Sequence, residues 1–206
     1  MTPQETVESA LARAGACELA VVVTHSGEVN LRWAVNSLTT NGDAQATQVD
    51  VVAMHPRGGT ATTSGRVPDA AALNDLVARA IDAAATAQRD PESLPLPAGG
   101  VSGDWADAPV PVDVETLRPL ASGLGREFRA AGDIEHFGYA EVDHTTAYLG
   151  TTAGTRLRHV QRQGRAEFTA KAGGRERSAW AGSAQPDLAI DVEAVTIRSQ
   201  GVRQRG

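Results

Sequence analysis

His136, Glu141, Asp143 and His144 fall within nine residues of a 206-residue chain, and together they offer the imidazole and carboxylate donors that a divalent metal prefers. Their spacing argues against a metal centre. A helical zinc peptidase site needs two histidines about one turn apart with a glutamate beside the first. Here the histidines are eight positions apart in a segment of strand composition. Along a regular strand His136 and His144 share one face, while Glu141 and Asp143 share the other. A metal site would need a bulge to rotate the carboxylates round. The plainer reading is a set of polar residues at a strand end and turn, with no metal bound.

Other chemistry-bearing residue types are equally isolated. Cys17 is the single cysteine, which excludes an intramolecular disulfide and a thiolate zinc cage. Glu18 stands beside it and no basic group lies near in sequence, so a buried structural thiol is expected and not a nucleophile. Gly58-Gly59 and Gly99-Gly100 do not sit between an apolar strand and a helix with Lys-Ser/Thr behind it, so neither is a phosphate loop. Ser64, Ser122 and Ser178 lack the nucleophile-elbow pattern. No catalytic residue is identified.

The arginines are more informative. Net charge is −6, yet Gly154 to Arg177 holds seven Arg/Lys against two Asp/Glu, leaving 12 basic and 23 acidic residues elsewhere. Arg156, Arg158 and Arg162 share strand parity and are expected to present one basic face. That face reads either as a solvated sheet surface or as a contact for an acidic partner subunit or peptide. Nucleic acid is not expected, because no aromatic residues interleave these basic groups.

The elements that position these residues follow from periodicity. Thr2-Pro3-Gln4-Glu5 is a capping box with proline at the first helical position, and Val7, Ala10, Leu11 and Ala14 follow at helical spacing. Glu18 to His25 reads as a central strand, Ser26-Gly27 as a hairpin turn, and Glu28 to Asn36 as a second, alternating strand. A polar loop at Thr39–Gly42 leads to strands at Gln48–His55 and Thr60–Val67. Asp69 caps a helix whose Leu73, Leu76, Val77, Ala80, Ile81 and Ala84 form one stripe. Asp90 to Pro97, rich in proline, begins an extended connector. A helix from about Thr116 to Ala131 follows, with Thr116 favoured over Asp113 as its cap because Pro119 must lie in the first turn. Asp133 to Gly182 reads as four or five short strands, with turns at Gly150–Gly154, Gln163-Gly164 and Gly173-Gly174. Between the last two, Arg165, Glu167, Thr169 and Lys171 alternate with Ala166, Phe168, Ala170 and Ala172, as a half-buried antiparallel strand does.

The fold class is therefore α+β, in two lobes of helix plus meandering antiparallel sheet. Residues 1–90 hold a helix, a four-stranded meander and a covering helix; 91–112 are a connector; 113–195 hold a helix and the strand series; 196–206 form a tail expected to fray. No secretion signal or apolar run of membrane-spanning length is present, so a cytoplasmic protein is expected, with no membrane contact.

Two segments carry a family resemblance. Arg32-Trp-Ala-Val-Asn-Ser-Leu-Thr-Thr-Asn-Gly42, with the Ala-rich helix Ala70 to Ala87 and Leu94-Pro-Leu-Pro97 behind it, is the first. Tyr148-Leu-Gly-Thr-Thr-Ala-Gly-Thr-Arg-Leu-Arg158 with Arg177-Ser-Ala-Trp-Ala-Gly182 is the second. In order and spacing they resemble the N-terminal half of the TldD/PmbA family, metallopeptidase subunits named as modulators of DNA gyrase, over roughly residues 5–195. The family's peptidase chemistry uses a His-Glu zinc helix beyond that half. This chain has no His-Glu pair, so it resembles the zinc-less, PmbA-like (TldE-like) member and is expected to carry no cofactor and to be inactive alone. Zinc belongs to the family's catalytic half. The family pairs a zinc-bearing subunit with a zinc-less one around a chamber that admits unfolded peptide. The resemblance therefore implies a non-catalytic domain with a TldD-like subunit and unfolded peptide as partners. The alternative is a stand-alone protein- or peptide-binding module using its basic sheet face. The chain stops where such a subunit is less than half complete, as a fragment, an isolated domain or a prematurely ended reading frame would.

Overall fold

Local signals set the three helices. In the computed structural model, which describes residues 1–89 and 91–186, α1 spans Pro3–Leu11. Its capping box is closed: the Glu5 N–H donates to Thr2 Oγ1 at 3.1 Å and the Thr2 N–H donates to Glu5 Oε2 at 2.8 Å. Helix α2, Ala70–Thr86, starts where the Ala72 N–H donates to the Asp69 carboxylate at 2.9 Å. Its expected stripe is buried at Leu73, Leu76, Val77, Ala80 and Ala84, with Ile81 half-buried against the same core. The third helix begins differently from expectation. Asp113 caps a 3-10 turn, Val114–Leu117, accepting from the Glu115 N–H at 3.0 Å, and only then does α3 run as Arg118–Ala130. Thr116 answers Asp113 by accepting its N–H at 3.4 Å, and Pro119 falls in the first turn of α3, where its missing N–H costs nothing.

Among the described residues six antiparallel strands follow the chain as β1 (Glu18–Ala34), β2 (Ser37–Met54), β3 (Thr60–Gly65), β4 (Glu135–Thr151), β5 (Arg156–Ala172) and β6 (Arg177–Gln185), in the order β3-β2-β1-β4-β5-β6. Four of them have 17 or 18 residues, so several expected turns are absent. Ser26-Gly27 lies inside β1, Thr39–Gly42 inside β2 and Gln163-Gly164 inside β5, giving three strands in place of each longer series. Gly27 is there for close approach, since a Cβ on it would stand 2.8 Å from Val112 Cγ1. The real β1–β2 turn is Val35-Asn36, with φ of +50° and +57°, as a two-residue type I′ hairpin requires. Asn36 holds it: its side-chain N–H donates to the Ile134 carbonyl at 2.7 Å, and its Oδ1 accepts the His136 N–H at 2.7 Å.

The chain forms two compact units. The first comprises Met1–Ser26, Ala46–Val110 and Thr145–Val160; the second comprises Gly27–Gln45, Pro111–His144 and the chain from Gln161 onward. Each takes a stretch of β1, β2, β4 and β5, so the contacts do not divide along the 91–112 connector. In the first unit α1 and α2 bury Val7, Leu73, Leu76 and Val77 with Leu19, Val21, Val49, Val51 and Tyr148 of the sheet. Trp105 of the connector stacks edge-on to Tyr148 at 5.7 Å, and Gln4 donates to the carbonyls of Trp105 and Asp107 at 3.0 and 2.9 Å. That stretch therefore belongs to the first unit's packing. In the second unit Leu117, Leu120 and Leu124 cover Val29, Leu31, Trp33, Ala140, Val142 and Ala166. Trp33 meets Phe168 at 4.9 Å. Among the described residues no helix is long and apolar enough to cross a membrane. The expected segment 188–195 and the tail 196–206 lie outside the described residues.

Candidate functional site

Alternation along β5 decides what its arginines do. Arg156 and Arg158 share parity as expected, but theirs is the packed side of the first unit. Arg156 makes a two-pronged pair with Glu8, at 2.5 and 2.8 Å, and donates from Nη1 to the carbonyls of Thr151 and Thr155. Arg158, with its side chain 8% exposed, donates to Asp104 at 3.0 Å and to the Ala108 carbonyl at 2.8 Å, and its Nε meets the Tyr148 hydroxyl at 3.4 Å. Hydrogen bonds from Ser102 and then Arg158 hold the Asp104 carboxyl below its ordinary range. The expected solvent-facing basic surface is thus not formed by these two residues, whose donors are spent inside the unit. Arg162 lies in the second unit, where it lines a cleft of about 480 Å³ with Glu141, Asp143, Gln161, Gln163 and Arg165.

The histidines and carboxylates of β4 separate as alternation requires. His136 turns its Nδ1 to Asn36 Oδ1 at 2.9 Å, and His144 turns its Nδ1 to the Pro111 carbonyl at 2.9 Å. Burial pushes the His136 imidazole below its ordinary value, against a smaller opposing pull from Glu127. Glu141 and Asp143 open instead onto the cleft. Among the described residues no three His, Cys, Asp or Glu side chains gather as a metal site would require. Cys17 is buried, and burial raises its thiol above the ordinary value.

The surface that does gather aromatic and cationic groups is the sheet face of the second unit opposite α3, uncovered by any helix among the described residues. Phe137 and Tyr139 project from β4 on the side opposite Ala140 and Val142. Arg32 and Arg165 sit on the Tyr139 ring at 4.8 and 5.3 Å, and Lys171 and Arg175 on the Phe137 ring at 4.9 and 5.7 Å. Arg175 also pairs with Glu135 at 2.6 Å, which holds that carboxyl low. Trp180 of β6 pairs across with Thr169 and is 66% exposed, its ring lying over Gly182. Three of the chain's eight aromatic residues therefore stand on this one face. At its margin Glu141 is raised above its ordinary value, first by burial and then by Glu28, with Arg165 pulling the other way. Such a face stacks on planar groups and donates charged hydrogen bonds; it contains no nucleophile paired with a base.

Of the three arginines expected to form a basic face, Arg156 and Arg158 turn into the first unit and Arg162 lines the cleft beside Arg165. The available signal for the aromatic face was the alternation from Arg165 to Lys171, together with Phe137 and Tyr139 standing opposite Ala140 and Val142. Arg32 and Trp180 lie inside the two segments that carry the family resemblance and have no separate mark in the sequence.

No protein-family model matches the sequence, and no curated protein does. Solved structures do. TldE from Thermococcus kodakarensis superposes with a TM-score of 0.74 at 13% identity, over 96% of this chain and 47% of that one. A protein proposed as a modulator of DNA gyrase from Thermotoga maritima gives 0.66 at 15% identity, over 96% and 47%. A protein with the same proposed role from Bacteroides thetaiotaomicron gives 0.57 at 12%, over 95% and 48%. The chain spans about half the length of these structures and has the α+β fold of that half. The resemblance drawn from its ordered segments is matched at the level of fold.

Proposed function

We propose that this chain works as a non-catalytic domain of a TldD/PmbA-like metallopeptidase subunit, of the N-terminal type, contributing to assembly with a related TldD-like subunit and to the wall of a chamber for unfolded peptide in the cytoplasm. The observation that carries this reading is the superposition of 96% of the chain on about half of TldE. The uncovered face of the second unit gives it a chemical basis. Phe137, Tyr139 and Trp180 offer stacking surface to an extended peptide, and Arg32, Arg165 and Lys171 offer charged donors that form no salt bridge among the described residues, although Glu141 and Glu135 lie near enough to feel them. In this reading zinc and peptide-bond hydrolysis belong to the partner, and Arg156 and Arg158 serve the fold.

Co-expression with a zinc-bearing TldD-like subunit tests the proposal. The two chains are expected to co-purify, and cleavage of an unfolded casein substrate is expected to differ from that of the partner alone. If the two chains do not associate and cleavage does not change, the assembly role is wrong. The exposed Trp180 also suits a second reading, a free-standing peptide-binding module. Binding of unfolded peptide by this chain alone, with no effect on or from the partner, would favour that one.

A further inference from the structure

A second cleft, of about 620 Å³, lies in the first unit around the turn between β2 and β3. Among its lining side chains are two arginines and an imidazole, Arg57, Arg89 and His55, with the Ser93 hydroxyl as a further donor. The turn sets the His55 ring and the Arg89 stem, and carries Arg57 between them. The His55 N–H donates to the Gly59 carbonyl at 2.8 Å and the Gly58 N–H returns to the His55 carbonyl at 2.7 Å. The Arg57 N–H donates to His55 Nδ1 at 3.2 Å, so the imidazole carries its proton on Nε2 and keeps a donor for a ligand. Arg89 is tied to the same turn by a backbone bridge to Gly59, and its stem lies over Gly58, where an added Cβ would stand 2.7 Å from Arg89 Cγ. Gly58 has a φ of +89°, which lets the chain make this approach.

The charges are unbalanced. Among the described residues neither Arg57 nor Arg89 has an ion-pair partner, whereas Arg118, Arg156, Arg158 and Arg175 each hold a carboxylate. Glu18 also lines the cleft, but its carboxylate faces the Leu96 N–H, at 3.3 and 3.4 Å from its two oxygens. The rest of the lining is largely apolar, with Met54, Leu94 and three prolines, and Leu94 is 77% exposed. Among the described residues, two guanidinium forks and one imidazole donor against a single carboxylate suit a monoanion better than a phosphate dianion, and the apolar rim suits a hydrocarbon body attached to it.

We infer that this cleft binds a carboxylate on an apolar body, the chemistry of a peptide's free C-terminus ending in an aliphatic residue. The site uses the first unit alone and does not depend on the peptide-wall reading. Isotope-labelled 206-residue chain, titrated with N-acetyl-Ala-Ala-Leu as free acid, as C-terminal amide, and with inorganic phosphate, tests it by NMR. The free acid is expected to give saturable shifts at His55 Nε2 and at the Arg57 and Arg89 Nε groups, and the amide to bind about tenfold more weakly or less. Arg57→Gln and Arg89→Gln are each expected to weaken the acid about fivefold or more, while Arg79→Gln, on the exposed side of α2, leaves it unchanged. Equal binding of acid and amide, phosphate binding as tight as the peptide acid, unaffected variants, or no saturable shift with the acid would each overturn the inference. The acid–amide comparison needs no substitution, so it stands even if a variant misfolds.

Discussion

Gly138 is the position where the second unit has least room, and Gly138→Ala puts a number on it. A Cβ there would lie 2.2 Å from the Glu167 carbonyl oxygen and 2.3 Å from Trp33 Cζ2, with Trp33 Cε2 at 2.5 Å. One obstacle is backbone of the neighbouring strand β5; the other is the rigid indole at the centre of the core, 2% exposed and seated on Phe168. Neither can swing aside as a flexible side-chain end does. Relief requires β4 to move away from β5 or the indole to leave its rotamer, and overpacking of this kind costs about 1–3 kcal/mol. With both contacts well inside van der Waals distance, the upper end, about 3 kcal/mol, is expected. For a chain of this length that is roughly a 6–12 °C fall in Tm. Urea unfolding followed by Trp fluorescence measures it, against Gly103→Ala, whose added Cβ meets nothing within 4 Å. The control should stay within about 0.5 kcal/mol of wild type. In a double-mutant cycle Gly138→Ala should cost less in a Trp33→Leu background than in wild type, yet still more than the control, because the carbonyl clash persists. A Gly138→Ala midpoint equal to the control's, or the same cost in both backgrounds, would refute the reasoning.

Other outcomes follow from individual contacts. His136 is depressed in the folded state, so between its unfolded value of 6.5 and the lower folded one the unfolded chain binds the extra proton. Stability from this group is complete above that window and is lost as pH falls through the folded value; a urea-midpoint difference between wild type and His136→Asn that does not change between pH 7.5 and 5 (roughly the span over which an imidazole titrates) contradicts this. Arg158→Lys keeps the charge but cannot reach Asp104, the Ala108 carbonyl and Tyr148 together, and should cost about 1–3 kcal/mol in urea unfolding. Arg118→Lys, whose pair with Glu115 is exposed, should cost less than about 0.5 kcal/mol, and parity between the two would show the buried fork to be unimportant. Trp180→Ala, at 66% exposure, should leave the midpoint within about 0.5 kcal/mol while lowering unfolded-peptide binding several-fold by fluorescence anisotropy; unchanged binding removes Trp180 from the proposed wall.

Helices and faces were legible in this sequence because their signals are local. Thr2 with Glu5, and Asp69 with Ala72, are satisfied within one turn, and the α2 stripe needs only its own periodicity. Strand continuity was not legible. Gly27 and Gly164 read as turn residues, yet Gly27 answers Val112 from a distant segment and Gly164 pairs with Gln185 of β6. The true turn was hidden for the converse reason. Val35 is a poor residue for positive φ, and its conformation is held by Asn36 bonds to Ile134 and His136, about a hundred positions away. The two units likewise had no local mark, since each is assembled from three separate segments.

The candidate site turned on a subtler point, the side to which a correct alternation is assigned. Polarity puts arginine outside and leucine inside, and in β5 that rule inverts. Leu157 is 44% exposed, while the Arg158 side chain beside it is 8% exposed. The inversion holds because the connector brings a carboxylate, Asp104, and a carbonyl, Ala108, to meet the guanidinium, and because the guanidinium lies over the Tyr148 ring with the centroid 5.9 Å from Cζ. Removing those acceptors would leave a buried charge unpaired, so the arginine's side is set by a segment some fifty residues away and not by β5 itself. Further along the same strand, Arg165 and Lys171 have no such hydrogen-bonded acceptors among the described residues and turn outward onto aromatic rings. One strand thus spends its first arginines on the fold and lays its later cations on the rings of β4, and only the contacts distinguish the two uses.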